Sequence, residues 1–285
     1  LAFSVSATTR APRGAEQDGI DYHFISPAAF EGHIEQNDFL EYEMVYVGVY
    51  YGTLKSELTR IWNLGKMPVL DIDVSTRELQ RKFTPDQVLN ILKEGNARFV
   101  SNVRLQRDIY RQIRVTADEG QHPIAAVLGC MDSRAPTEMI FDVGIGDLFS
   151  LRIAGNIAGE KVLGSLEFAC KSKGSKLIVV LGHTDCGAVT SACQMYEQNL
   201  DITQVKETPH VQYFLKPIMM AADTVKKELL SCSLNRSFID AVTVLNVQNN
   251  IAYIVKNSPV LREMIETEEI GIIGAIYDVH TGKVN

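Results

Sequence analysis

The sequence predicts an α/β protein with a mostly parallel central sheet and a helical arm ahead of it, preceded by a small α+β segment. Three observations predict this. After about residue 120, short unbroken apolar runs bounded by glycine recur at Ile124 to Gly129, Leu148 to Ala154, Leu177 to Gly182, Val242 to Val247 and Ile270 to Val279. Helical stretches alternate with them, which makes the sheet parallel and buried on both faces, with ligands at the carboxyl ends of its strands. The pattern before residue 75 is different, with aromatic-rich pieces cut by Gly and Asp turns.

Taken in order, Tyr22 to Ile25 and Val45 to Tyr51 read as strands of a small mixed sheet, flanked by helices at Pro27 to Gln36 and Leu54 to Leu64. Pro68 to Val74 reads as a short buried strand carrying Asp71 and Asp73 on one side, because strand side chains alternate. From Ser75 the chain turns polar and helical. Thr84-Pro85-Asp86-Gln87 is a helix start, with Thr as N-cap, Pro at the first helical position and Gln closing the capping box. Two helical stretches follow, Pro85 to Ser101 and Arg104 to Asp118, the second with Leu105, Ile109 and Ile113 at steps of four. These form the arm. The expected boundary therefore divides residues 1–74 from 75–285.

The 285 residues, 46% hydrophobic and 22% charged, suffice for one large or two modest cores. A net charge of -7 argues against a nucleic-acid partner, which needs clustered Lys and Arg. A small or uncharged substrate fits better. No apolar run approaches the roughly 18 residues of a membrane span, and the opening Leu1-Ala2-Phe3 starts no signal segment. The expectation is a cytoplasmic protein with no membrane partner. The chain opens on Leu within a strand-like stretch, so residues are expected upstream. Five scattered Cys read as reduced thiols or metal ligands rather than a disulfide framework.

Two strand ends carry chemistry. One runs into "GCMDSR", placing Cys130, Asp132 and Arg134 just past it, and another into "GHTDCG", placing His183 and Cys186 in the same kind of position. Two thiolates and an imidazole are three suitable zinc ligands that leave a fourth position for water, the mark of a catalytic zinc site. A Cys at a strand end is also often only buried, and an Asp-Arg pair is also an ordinary surface ion pair worth little. Cys170, Cys193 and Cys232 sit in apolar helical patterns and read as small core residues.

From "TPDQVLNILKEGNARFV" through "GQHPIAAVLGCMDSRAPTEMIFDVGIGDLFSLRIAGN", "GSLEFA" and "LIVVLGHTDCGAV" to "GIIGAIYDVHTGKV", residues Pro85 to Val284 resemble the β-class carbonic anhydrases. The resemblance implies that fold, with zinc on Cys130, His183 and Cys186, a catalytic Asp132-Arg134 pair, and CO2 and bicarbonate as substrates. Some relatives use the equivalent of Asp132 as a fourth ligand in a closed form. It further implies a substrate pocket with Gln121, Phe149, Gly155 and Phe168, the last standing where some members have Tyr. That pocket lies at a dimer interface, so a homodimer or higher homo-oligomer is expected. Gly155 and Asn156 read mainly as turn residues. The chemistry follows: zinc lowers the pKa of bound water from 15.7 toward about 7, giving a hydroxide that attacks CO2. Two thiolates cancel the charge of zinc, so this water is expected to be less acidic than one on three histidines. Asp132 aims the hydroxide and Arg134 holds the carboxylate. Neither His210 nor His280 is assigned as proton shuttle.

The first segment, in "FSVSATTRAPRGAEQDGIDYHFIS", "FLEYEMVYVGVYYGT" and "VLDIDV", resembles the GMP-binding region of guanylate kinases. This implies phosphate contacts from Ser6, Arg10, Arg13, Tyr22 and Tyr51, guanine contacts from Glu41, Thr53 and Asp73, and Asp71 near a catalytic metal. Departures are visible. The sequence holds no G-x-x-x-x-G-K-[ST] loop, "DIDV" runs into "STRELQ" instead of Gln-Gly, one extra residue lies between Glu41 and Tyr51, and Val49 replaces the usual Asn. Guanylate kinase activity is not expected. The segment is then an inert fusion appendage, a docking or structural module, or a guanine-nucleotide sensor, and Arg10 and Arg13 also read as an ordinary solvated face. For the whole chain the expectation is reversible CO2 hydration; the alternatives are a zinc enzyme of the same fold acting on carbonyl sulfide or CS2, and a non-catalytic zinc- or nucleotide-binding module.

Overall fold

The computed structural model describes residues 2–12, 14, 16–46, 49–66, 68–69, 77–105, 107, 109–228 and 235–285. Contacts divide the chain into two units, Leu1–Val74 with Leu105–Val115, and Ser75–Arg104 with Thr116–Asn285. Most of the second arm stretch, residues 105–115, groups with the first unit.

In the first unit, β1 (Ala2–Phe3), β2 (Ala7–Thr8), β3 (His23–Phe24), α1 (Pro27–Glu35), β4 (Phe39–Tyr46), β5 (Val49–Leu54), α2 (Lys55–Asn63) and β6 (Pro68–Val69) follow one another. A four-stranded mixed sheet runs β3-β2-β5-β4, and β1 pairs in parallel with β6. Val45 to Tyr51 therefore covers the end of one hairpin strand and the start of the next. Ser26 caps α1 by accepting from the Ala29 N–H, with Pro27 at the first helical position. The core is small and aromatic: Phe30 stacks on Phe39 at 4.2 Å and on Tyr50 at 5.1 Å. Buried Glu57 on α2 ties the unit together by accepting from the Val5 N–H at 2.9 Å and from both prongs of Arg60. Most of the predicted strand Pro68 to Val74, with Asp71 and Asp73, lies outside the described residues.

The second unit contains α3 (Arg77–Lys82), α4 (Pro85–Val100), the end of α5 (Ile109–Glu119), β7 (Ala125–Gly129), α6 (Thr137–Ile140), β8 (Leu148–Arg152), α7 (Glu160–Glu167), β9 (Leu177–His183), α8 (Gly187–Glu197), α9 (Gln212–Glu228), α10 (Arg236–Asn257), α11 (Pro259–Glu266) and β10 (Gly271–Tyr277). Thr84 and Gln87 form the predicted capping box at the start of α4. The sheet is parallel, in the order β10-β9-β7-β8. Alternation splits its strands between two cores. Ala126, Leu128, Ile178 and Val180 face Val162, Leu166, Val247, Ile254 and Leu261, while Ala125, Val127, Leu177, Val179 and Leu181 face Val88, Leu92, Ile140 and Phe141. Gly95 lets α4 lie directly on the turn after α6, since a Cβ there would sit 1.8 Å from the Phe141 carbonyl oxygen.

One predicted strand is overturned. Val242 to Val247 lies inside α10, which Asn235 caps by accepting from the Phe238 N–H at 2.9 Å. Its β-branched residues fit a strand locally, but the buried positions Val242, Thr243, Asn246, Val247, Asn250 and Ile254 recur at helical spacing. As a helix this segment covers one face of the sheet, and α10 presents buried Asn246 and Asn250 to the neighbouring loop.

Candidate metal centre

Three side chains reach one point from two adjacent strand ends. Cys130 follows β7, His183 is the last residue of β9, and Cys186 sits at the N-cap of α8. Their donor atoms lie within 4.8 Å of one another, and all three residues are buried. The two sulfurs are 4.0 Å apart and unbonded. His183 Nδ1 donates to the Thr184 carbonyl at 2.9 Å, which leaves Nε2 as the lone-pair nitrogen, and that atom is buried without a hydrogen-bond partner. An orphaned imidazole nitrogen facing two sulfurs fits a soft divalent cation.

The electrostatics agree. The Cys130 thiol is pulled down by the Cys186 S–H, with further help from His183 and the N–H groups of Asp132 and Gly155. Cys186 is pushed up by the neighbouring Cys130 sulfur and by burial, because a second bare thiolate beside the first is costly. A bound cation removes that cost. His183 is raised: burial opposes its charge, but Cys130, the Thr184 carbonyl and Asp132 outweigh it. Cys170 and Cys193 are pushed up to about 12 by burial, as core thiols, while Cys232 lies outside the described residues.

Asp132 stands at the mouth, its Oδ2 3.9 Å from His183 Nε2. Arg134 grips both its oxygens, Nε to Oδ1 at 2.9 Å and Nη2 to Oδ2 at 2.8 Å, and adds its own backbone N–H at 2.9 Å. The Arg134 guanidinium thereby holds the Asp132 carboxyl down at about 2. Gly155 turns beside the cluster with φ +65 and Asn156 with φ +47, and buried Asn246 of α10 donates to the Gly155 carbonyl at 2.9 Å. Phe149 and half-exposed Phe168 share a recess of about 570 Å³ along β8 and α7, lined by none of the cluster residues, and Gln121 is exposed. These pocket candidates are not brought to the cluster within one chain.

Sequence reading missed several neighbours. Arg152, at the end of β8, donates to the Cys130 carbonyl at 3.2 Å and to the Asp132 carbonyl, holding the ligand loop. His280 Nε2 is 2.6 Å from Asp185 Oδ2, and Arg134 Nη2 reaches the Asp185 carbonyl at 3.1 Å. His210 instead stacks on Tyr213 at 6.1 Å. The only sequence signal for His280 is its place just past an apolar run that becomes the strand beside β9.

In the first unit, Arg10 Nε donates to the Tyr51 hydroxyl at 2.8 Å and its guanidinium lies 4.9 Å from the centre of the Tyr22 ring. Ser6 and Thr53 hydroxyls are 3.3 Å apart, and Glu41 pairs with Thr53 in the backbone register. Glu16, which the motif reading passed over, takes both Arg10 Nη groups at 2.6 and 2.7 Å and raises its pKa. Arg13 and Asp73 lie outside the described residues.

Comparison with known proteins accords with both halves. The carbonic anhydrase family model matches residues 125–284. Carbonic anhydrase 2 of Mycobacterium tuberculosis is 33% identical over 196 residues, covering 67% of this chain and 87% of that protein. The chain belongs to the carbonic anhydrase family. Among solved structures, the β-carbonic anhydrase CafA of Aspergillus fumigatus matches with TM-score 0.53 and 26% identity, covering 70% of this chain and 88% of CafA. The tetrameric β-carbonic anhydrases of Sordaria macrospora share the fold at TM-score 0.53 and 22% identity, over 70% of this chain and 96% of theirs. The carbonic anhydrase unit thus has the β-class fold. The guanylate kinase model matches residues 1–113. Guanylate kinase of Porphyromonas gingivalis is 50% identical over 91 residues, 32% of this chain and 48% of that enzyme, so the chain spans about half of that relative. Among the described residues no helix is long and apolar enough to cross a membrane.

Proposed function

We propose that the carbonic anhydrase unit, residues 75–285, is a zinc enzyme that interconverts CO2 and bicarbonate. The observation that carries this reading is the buried convergence of Cys130, His183 and Cys186 beside an Asp132 that Arg134 holds. Those three residues hold the ion, since two sulfurs and one imidazole nitrogen are a zinc donor set that leaves a position open. Bound zinc supplies a nucleophile at neutral pH by lowering the pKa of a bound water from 15.7 toward about 7. Asp132, acceptor-only while ionised, takes the attacking group's hydrogen bond and turns its lone pair toward the carbon of CO2. Arg134 keeps the carboxylate turned to that task instead of toward the ion. Gln121, Phe149, Gly155 and Phe168 form the substrate pocket together with a second subunit, in a homodimer or higher homo-oligomer. CO2 is uncharged, so the net charge of -7 does not oppose its entry.

Metal analysis and stopped-flow CO2 hydration on the full chain test this, with carbonyl sulfide and CS2 assayed alongside. Near-stoichiometric zinc and rapid hydration, both lost on chelation, are the expected results. Zinc without turnover would leave a binding protein and sink the enzyme. The segment 1–74 carries a second reading: Arg10, Tyr22 and Tyr51 are suited to a phosphate monoester, with GMP the ligand to test.

A further inference from the structure

We propose that His280, paired with Asp185, takes up the proton released by each CO2 hydration and passes it to solvent. This rests on the function proposed above. Hydration of CO2 by water yields bicarbonate and one proton, which must leave the site every turnover. Asp132 has both oxygens engaged by Arg134. His183 is buried in the cluster, whereas His280 is more than half exposed.

The sheet register brings His280 to the site. β9 and β10 pair with Tyr277 opposite His183, so the loops beyond them run side by side. The Thr184 N–H donates to the Tyr277 carbonyl at 3.0 Å, and the Val279 N–H donates to the Thr184 hydroxyl at 3.1 Å. Asp185, turned with φ +53 between the ligands His183 and Cys186, then meets His280 Nε2 at 2.6 Å. Its carbonyl accepts from the Arg134 Nη2 that also holds Asp132. His280 is thus linked to Asp132 through Asp185 and the Arg134 guanidinium, with its own ring more than half exposed.

Asp185 faces the ring, Asp278 accepts from the His280 backbone N–H at 2.9 Å, and Arg236 lies 3.7 Å from the other oxygen of Asp185. Nδ1 makes no hydrogen bond among the described residues. The proton balance is simple. A water loses one proton to become the hydroxide that forms the new C–O bond of bicarbonate, and that proton reaches Nδ1 through intervening water. The Nε2–H stays on Asp185, whose carboxylate offsets the imidazolium until buffer takes the proton. An imidazole ring has two nitrogens, so one can stay bonded to Asp185 while the other takes and gives the proton.

The test is His280→Ala in zinc-loaded full-length protein, with 15N NMR of the wild-type imidazole as a readout independent of turnover. In weak buffer, kcat should fall about tenfold or more while kcat/KM holds, and added imidazole should restore kcat. The spectra should report Nε2 as the nitrogen that keeps its proton. A kcat unchanged in weak buffer, equal losses in kcat and kcat/KM without rescue, or a ring protonated at Nδ1 would each overturn the relay alone. A wild-type protein that does not hydrate CO2 would instead overturn the proposed function, and the relay with it.

Discussion

Replacing Arg134 with alanine removes two of the three hydrogen bonds that fix the Asp132 carboxylate and leaves the one from the backbone N–H, at 2.9 Å. The carboxyl oxygens become free to rotate, and Oδ2 already stands 3.9 Å from His183 Nε2. A misplacement of about 1 Å in an orienting group costs on the order of 100-fold, so kcat/KM for CO2 hydration should fall by about that factor. Protonation is not the cause. Without Arg134 the Asp132 carboxyl rises from about 2 toward its ordinary value of 3.8, and remains ionised at neutral pH. The loss should therefore be the same across the neutral range. Zinc content, read by elemental analysis, should be unchanged because none of Cys130, His183 and Cys186 is touched. Arg134→Lys should recover only part of the rate, since an ammonium cannot fork both oxygens. Stopped-flow rates of Arg134→Ala within about threefold of wild type, or recovery at raised pH, would refute the reasoning.

Four further outcomes follow from the structure. Gly95→Ala should destabilise the carbonic anhydrase unit by about 3 kcal/mol in thermal melts, because its Cβ meets a backbone oxygen that cannot yield. The same change at Gly32 in α1, which has open space around it, should stabilise the first unit by about 1 kcal/mol. Burial opposes ionisation of Glu57, but Arg60, the Val5 N–H and His23 outweigh it and hold the carboxyl at about 2 against an ordinary 4.5. A depressed value stabilises the folded state above the ordinary one and loses that contribution as pH falls through the folded one. Glu57→Gln should therefore cost the first unit about 2 kcal/mol at neutral pH and flatten its acid unfolding between those values, read by circular dichroism. Calorimetric titration with GMP should give heat that Arg10→Ala abolishes; no heat at millimolar GMP would remove the nucleotide reading of that unit.

How much of this was legible in the sequence depended on the range of the interactions involved. The capping box of Thr84 and Gln87 spans three residues and was readable outright. The motif "GCMDSR" carries Cys130, Asp132 and Arg134 within five positions, and the grip of Arg134 on Asp132 follows from that closeness. Val242 to Val247 misled because local β-propensity favours a strand, while the sheet needs a helix to cover it. Glu16 was passed over because an acid beside two arginines looks like one more surface charge until Arg10 is seen held by it.

The sequence by itself determined which residues are candidate metal donors, their order along the chain and their place at the ends of apolar strands, because donor chemistry and strand burial are written in residue identity. Only the tertiary structure decided what stands beside them. His280 and Asp185 are 95 positions apart, and no local pattern links them. They meet because β9 and β10 pair in parallel with His183 opposite Tyr277, a register set by packing on both faces of the sheet. The same packing turns Asn246 toward the Gly155 carbonyl.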